Sequence, residues 1–201
     1  MINYSILVSI IRWVLLIFNG KSKIYGLDHL PKDQPVIFAA THQSNTDPFF
    51  LAAAIQPKVV AFMAKEELFR FKPLAWLLNK GHVFPVNRQN PSTKSIRHAA
   101  TLLKQGDKNL GIFPTGSRHS DEIKPGTAFI QKLSKATIIP VAIQPPIGFI
   151  QFIMRKQAYL AFGQPIAYDS STKYDKDKLA EIDQTIQKQW NQLNQLIDGK
   201  K

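Results

Sequence analysis

The stretch Val36-Ile37-Phe38-Ala39-Ala40-Thr41-His42-Gln43-Ser44-Asn45-Thr46-Asp47-Pro48 decides the fold. Its first five residues are an unbroken apolar run, the pattern of a strand covered on both faces. Six polar, turn-forming residues follow, and Asp47 and Pro48 then open a helix. Aspartate is a favoured N-cap, and proline suits the first helical position because its φ is already helical and its missing N–H is not needed there. Strand, polar turn and helix form the unit of open α/β sheets, which bind ligands beyond the carboxyl ends of their strands.

The same alternation runs outward from this unit. Apolar runs at 59–63, 83–86, 110–113, 138–143 and 158–162 predict further strands. Helical spacing predicts helices over 48–55, 73–78, 93–104, 126–134 and 178–197. Ile96, Ala99, Ala100 and Leu103 share one helix face, and Leu179, Ile182, Ile186, Trp190, Leu193 and Ile197 share another. The expectation is one α/β domain over 21–201, a mixed, largely parallel sheet flanked by helices. The apolar segment 140–154 reads as core or as a second membrane-touching surface.

Composition narrows the function classes. The 201 residues include no cysteine, which excludes a disulfide scaffold, thiolate metal sites and a cysteine nucleophile. Hydrophobic residues make up 44%, too many for a disordered chain. With 26 Lys+Arg against 14 Asp+Glu, the net charge is +12, which suits nucleic acid, an anionic membrane or a phosphorylated small molecule. Residues 58–135 hold fourteen of the basic residues against five acidic ones, so the excess is not a basic tail of the kind that binds nucleic acid.

Residues 1–20 read separately. The run 2–18 is mostly apolar, with Ser5, Ser9 and Arg12 interrupting it. It is shorter than the roughly 20 apolar residues of a spanning helix, and Arg12 falls near its middle. The expectation is a membrane-interface helix, with Trp13 at headgroup depth and Arg12 snorkelling, in preference to an amphipathic helix docked on the protein's own core.

Four blocks carry chemistry. In the first, His42 follows a strand and is a candidate general base, with Asp47 as the carboxylate that fixes its tautomer. In the second, Gly81–Arg88, a strand delivers Arg88 to the sheet edge, where a guanidinium fork suits phosphate. In the third, Phe113-Pro114-Thr115-Gly116-Ser117-Arg118, Gly116 permits a tight turn that can approach an anion, and Arg118 follows. The fourth, Ile139-Pro140-Val141, is a buried strand.

The order of these blocks resembles the glycerophosphate acyltransferase family, whose pattern runs His-x-x-x-x-Asp, Gly…Arg, Phe-Pro-Glu-Gly-Thr-Arg and Val-Pro-Val. The likeness is greatest to the bacterial 1-acylglycerol-3-phosphate acyltransferases and covers about residues 25–145. Lys65-Glu66-Glu67-Leu68 is similar to the family's Lys-x-Glu-Leu segment. The resemblance implies transfer of a fatty acyl group from a thioester to lysophosphatidate, with His42 as base and Asp47 as its partner. It further implies Arg118, Arg88 and the Thr115-Gly116-Ser117 turn around the substrate. Lys65 and backbone N–H groups of the His42 or Gly116 turns are candidates for the oxyanion. The acyl donor would be acyl-carrier protein or acyl-coenzyme A, with no metal and no other cofactor. The enzyme would sit on an anionic membrane at the cytoplasmic face, with no nucleic-acid partner and no stated oligomeric order.

One departure stands out. Thr115 takes the place of the family's usual glutamate, and Ser117 that of its usual threonine. This leaves room for another lysophospholipid or glycerol-phosphate acceptor. A reading from a different class is a non-catalytic protein that binds acidic membrane or nucleic acid through its basic surface.

Overall fold

The computed structural model describes residues 3–87, 92–117, 122–154 and 156–201. Its strands are β1 (Lys23–Tyr25), β2 (Val36–Ala40), β3 (Val60–Lys65), β4 (Val83–Val86), β5 (Asn109–Ile112), β6 (Thr137–Gln144) and β7 (Tyr159–Phe162). Its helices are α1 (Tyr4–Asn19), α2 (Asp47–Ala54), α3 (Lys72–Lys80), α4 (Thr93–Lys104), α5 (Thr127–Ser134), α6 (Gly148–Ile153) and α7 (Lys176–Asp198). The strands form one sheet in the order β1-β7-β6-β2-β5-β3-β4. Every pairing is parallel except β6 with β7. The mixed, largely parallel α/β fold read from the sequence is therefore the one observed.

All five residues of β2 are buried, as a strand with helices on both faces requires. Its side chains serve two cores by turns. Val36, Phe38 and Ala40 pack with Val8 and Leu15 of α1 and with Phe50 and Leu51 of α2. Ile37 and Ala39 pack with Ala99 and Leu103 of α4, Ala128 and Ile130 of α5, and Ile182, Ile186 and Trp190 of α7. The indole N–H of Trp190 donates to the Ala39 carbonyl at 2.9 Å, pinning α7 across the centre of the sheet.

Two short elements escape the sequence reading. β1 has three residues, too few for a period, and pairs with β7 at the sheet edge. α6 has six residues and opens on Gly148 at φ 80°. One expectation is corrected. Asp47 does not cap α2: Thr46 holds the N-cap position, and Asp47 is the first helical residue with its carboxylate turned back toward the preceding loop.

The N-terminal helix is docked along one edge. Val8, Leu15 and Asn19 are buried there. The Val60 N–H donates to the Tyr4 hydroxyl at 3.0 Å, Gln56 donates to the Ser9 hydroxyl at 3.0 Å, and Asn19 donates to the Phe152 carbonyl at 3.0 Å. The rest of the helix points outward, with Ile10, Trp13 and Ile17 at least half exposed. Phe149 and Ile150 of α6 are exposed on the neighbouring surface, where Phe18 stacks on Phe152. Among the described residues no helix is long and apolar enough to cross a membrane.

Asp183 of α7 carries a buried Oδ1 without a hydrogen-bond partner among the described residues, and burial pushes its carboxyl up from 3.8 to about 6. The folded chain thus holds this proton more tightly than the unfolded chain. The contribution is full below about pH 4 and is lost as pH rises through 6. Asp183→Asn is expected to stabilise the protein by about 1 kcal/mol at pH 7.5, allowing for partial solvent screening. The gain should fade toward pH 4, as read by thermal unfolding across pH; a gain independent of pH would refute the assignment.

Candidate active site

His42 and Asp47 lie in the turn between β2 and α2, at the carboxyl edge of the sheet. Asp47 is fully buried and the His42 side chain is 6% exposed. The Asp47 Oδ2 accepts from His42 Nδ1 at 2.9 Å, from the Gln43 N–H at 2.7 Å and from the Ser44 N–H at 2.8 Å. An ionised carboxylate only accepts, so Nδ1 carries the proton and Nε2 presents its lone pair. Among the described residues Nε2 has no hydrogen-bond partner. An imidazole with one nitrogen anchored on a buried carboxylate is the arrangement of a general base.

The ring is also held by stacking. It lies on Phe113 with centroids 4.3 Å apart, and Phe113 lies on Phe62 at 6.3 Å and 11°. Phe62 of β3 is in register with Gly111 of β5, and a methyl at 111 would overlap the Phe62 ring. Gly111 thereby makes the wall behind the imidazole possible.

The Gly116 turn adjoins this wall. Gly116 has φ 66°, a left-handed conformation natural to glycine, and its N–H donates to the Phe113 carbonyl at 2.9 Å. The Thr115 side chain is buried and its hydroxyl donates to the Ser117 carbonyl at 2.8 Å, closing the turn. The backbone N–H groups of Gln43, Ser44 and Gly116 are thus engaged inside their own turns. These three are committed within the turns, which leaves the other N–H groups of the two turns as the oxyanion candidates.

Lys65 ends β3 on the same sheet edge, exposed, with its ammonium 3.2 Å from Glu67. It lines neither cavity beside His42. Arg88 and Arg118 lie outside the described residues. A cation that the sequence reading missed is Lys124. Its backbone N–H donates to the Pro114 carbonyl, and its ammonium packs against Gly116, 3.4 Å from where a β-carbon would stand. No local spacing signals this contact, because it depends on the loop after β5 doubling back.

Two cavities lie on either side of the Pro114–Gly116 turn, and His42 lines the second of them. One, of about 400 Å³, is apolar: Met63, Val86, Ile96, Ile112 and Ile130 line it, with Phe113 toward His42 and Lys124 among its walls. The other, of about 360 Å³, is polar, bordered by His42, Thr115 and residues of α7.

The acyltransferase family model matches residues 21–144. A 1-acyl-sn-glycerol-3-phosphate acyltransferase of Streptococcus pneumoniae is 33% identical over 193 residues, 96% of this chain and 73% of that protein. Its counterpart from Bacillus subtilis is 33% identical over 188 residues, 92% of this chain and 94% of that one. The crystal structure of the 1-acyl-sn-glycerophosphate (LPA) acyltransferase PlsC from Thermotoga maritima shares the fold. Its TM-score is 0.70 at 21% identity, covering 95% of this chain and 79% of that chain.

Gly111→Ala should force the Phe62 ring aside and destabilise the protein by about 1–3 kcal/mol. Adding Phe62→Leu should recover part of the loss. Denaturant unfolding of the single and double variants measures both, and an unperturbed single variant would rule out the close fit.

Proposed function

The chain belongs to the acyltransferase family, and we propose that it transfers a fatty acyl group from a thioester to the free hydroxyl of 1-acylglycerol-3-phosphate, giving phosphatidate. The observation that carries this reading is the buried His42–Asp47 pair, with Nε2 unpartnered among the described residues and the imidazole, stacked on Phe113, lining the polar cavity while Phe113 lines the apolar one.

The chemistry follows from the pair. A hydroxyl is a weak nucleophile at neutral pH, and Nε2 accepts its proton as the oxygen attacks the thioester carbonyl carbon. Asp47 then faces an imidazolium 2.9 Å away and stabilises it. Collapse of the tetrahedral intermediate breaks the C–S bond, and the imidazolium returns its proton to the departing sulfur. The step calls for neither a metal nor a covalent acyl-enzyme. A positioned base of this kind contributes about 10²–10⁴-fold.

The apolar cavity behind Phe113 suits a fatty chain. Lys124, against Gly116, brings positive charge to the substrate side of the turn. Arg118 and Arg88 complete the phosphate site in this reading. Thr115 keeps a second acceptor in view, another lysophospholipid or glycerol phosphate, because a hydroxyl stands where the family usually has a carboxylate.

The outward face of α1, together with α6 and the exposed Phe71 and Trp76, would rest on an anionic bilayer at the cytoplasmic side. Arg12, Arg70 and Lys72 flank these apolar residues and would meet lipid phosphates.

His42→Ala should lower the turnover of lysophosphatidate to phosphatidate by about 10³-fold with the fold intact; near-normal turnover would exclude the base. Trp13→Ala with Ile17→Ala should weaken binding to phosphatidylglycerol vesicles in a sedimentation assay by about tenfold, given the apolar area removed. Unchanged sedimentation would exclude α1 as the docking surface.

A further inference from the structure

The polar cavity is lined by a face of α7 that lies beyond the stretch matched to the family, 21–144. Gln187, Asn191 and Asn194 recur at helical spacing along that face, opposite Thr41, Gln43 and Thr115. Trp190, on the same face, is tied to Ala39 by its indole N–H, which fixes α7 beside the His42 turn. Gln187 donates to Asn191 at 3.2 Å, and Gln144 donates to Asn194 at 3.0 Å. The remaining polar atoms of these amides, the Gln187 oxygen and the NH₂ groups of Asn191 and Asn194, have no partner among the described residues.

We infer that this cavity binds the pantetheine arm of the acyl donor, through amide-to-amide hydrogen bonds from Gln187, Asn191 and Asn194. The inference rests on the acyl-transfer reading above and names the donor side of that same site. No lysine or arginine is among the cavity's described lining residues, which are mostly uncharged amides and hydroxyls. Asparagine and glutamine offer a donor and an acceptor on one rigid plane, the complement of an amide in the ligand. A thioester donor is an apolar chain joined through its reactive carbonyl to an arm bearing two amides. His42 lines the polar cavity and stacks on Phe113, which lines the apolar one. Phe113, Pro114 and Gly116 face the apolar cavity, while Thr115 and the imidazole face the amide-lined one. Acyl-carrier protein and coenzyme A present the same arm, so the site would serve either donor.

The test uses the full chain with lysophosphatidate as acceptor. Four palmitoyl donors are compared: the coenzyme A, carrier-protein and pantetheine thioesters, and the ethanethiol ester, which lacks the arm. The Gln187→Ala/Asn191→Ala variant should raise the donor KM by at least about tenfold for the three arm-bearing donors, as loss of two hydrogen bonds implies. The KM for the ethanethiol ester and for lysophosphatidate should stay within about twofold. A rise for coenzyme A alone would assign the cavity to the nucleotide. A rise for the carrier protein alone would assign it to a protein contact. A rise for lysophosphatidate would assign it to the acceptor. Each of these results, or no change, overturns the proposal. Calorimetric titration with S-octyl-pantetheine, a thioether that cannot react, reads binding without turnover. At least about tenfold weaker binding by the variant supports the cavity assignment even where no phosphatidate forms. Equal binding overturns it. Failure of the unaltered protein to make phosphatidate from any donor, with that binding difference intact, overturns the acceptor reading alone.

Discussion

A carboxylate removed from water must be met by donors, because an unpaired buried charge costs several kcal/mol. Asp47 is fully buried, and three N–H groups converge on its Oδ2. Two of them are backbone groups of Gln43 and Ser44, so the carboxylate sets the path of the turn as well as the ring of His42. Its place in the first turn of α2 adds the favourable end of the helix dipole. The demand that this one oxygen be satisfied therefore fixes the geometry on which a base depends. The expected N-cap bond is absent because Asp47 is the first helical residue, with Thr46 at the N-cap; its other oxygen, Oδ1, is buried without a partner among the described residues.

The sheet supplies the rest of the site through adjacency. β2 lies between β5 and β6 and runs parallel to both, so the turns after β2 and β5 emerge side by side. Ala39 is in register with Ile112, which leaves Phe113 just beyond the strand edge where His42 can stack on it. In sequence these two residues are far apart. The parallel register, and the Gly111 that admits Phe62 behind Phe113, bring them to 4.3 Å.

Much of this was legible in the sequence, and what was not has physical causes. Long apolar runs such as 36–40 and 138–143 announce themselves, because a strand buried on both faces has no polar residue to break it. The His42–Asp47 spacing was legible because the pair is local. Lys124 and the amide row of α7 were not, since tertiary contacts alone carry them to the site. The N-terminal helix shows the opposite trap. Tyr4, Ser9 and Asn19 make its inward bonds, while Ile10, Trp13 and Ile17 face out. Hydropathy alone reads Ser9 as an interruption of the apolar run, whereas it marks the docked edge.

Thr115 changes meaning once its partner is known. Its hydroxyl donates to the Ser117 carbonyl and is what closes the Gly116 turn. A carboxylate at that position has no proton to donate at neutral pH and would meet the same carbonyl oxygen with like charge. The turn in this chain is therefore held in part by a hydroxyl donor, and a glutamate at 115 would leave that bond unmade. The departure from the family pattern thus reads as a different local solution to holding the turn, with a hydroxyl bond to the Ser117 carbonyl beside the Gly116 N–H bond to Phe113.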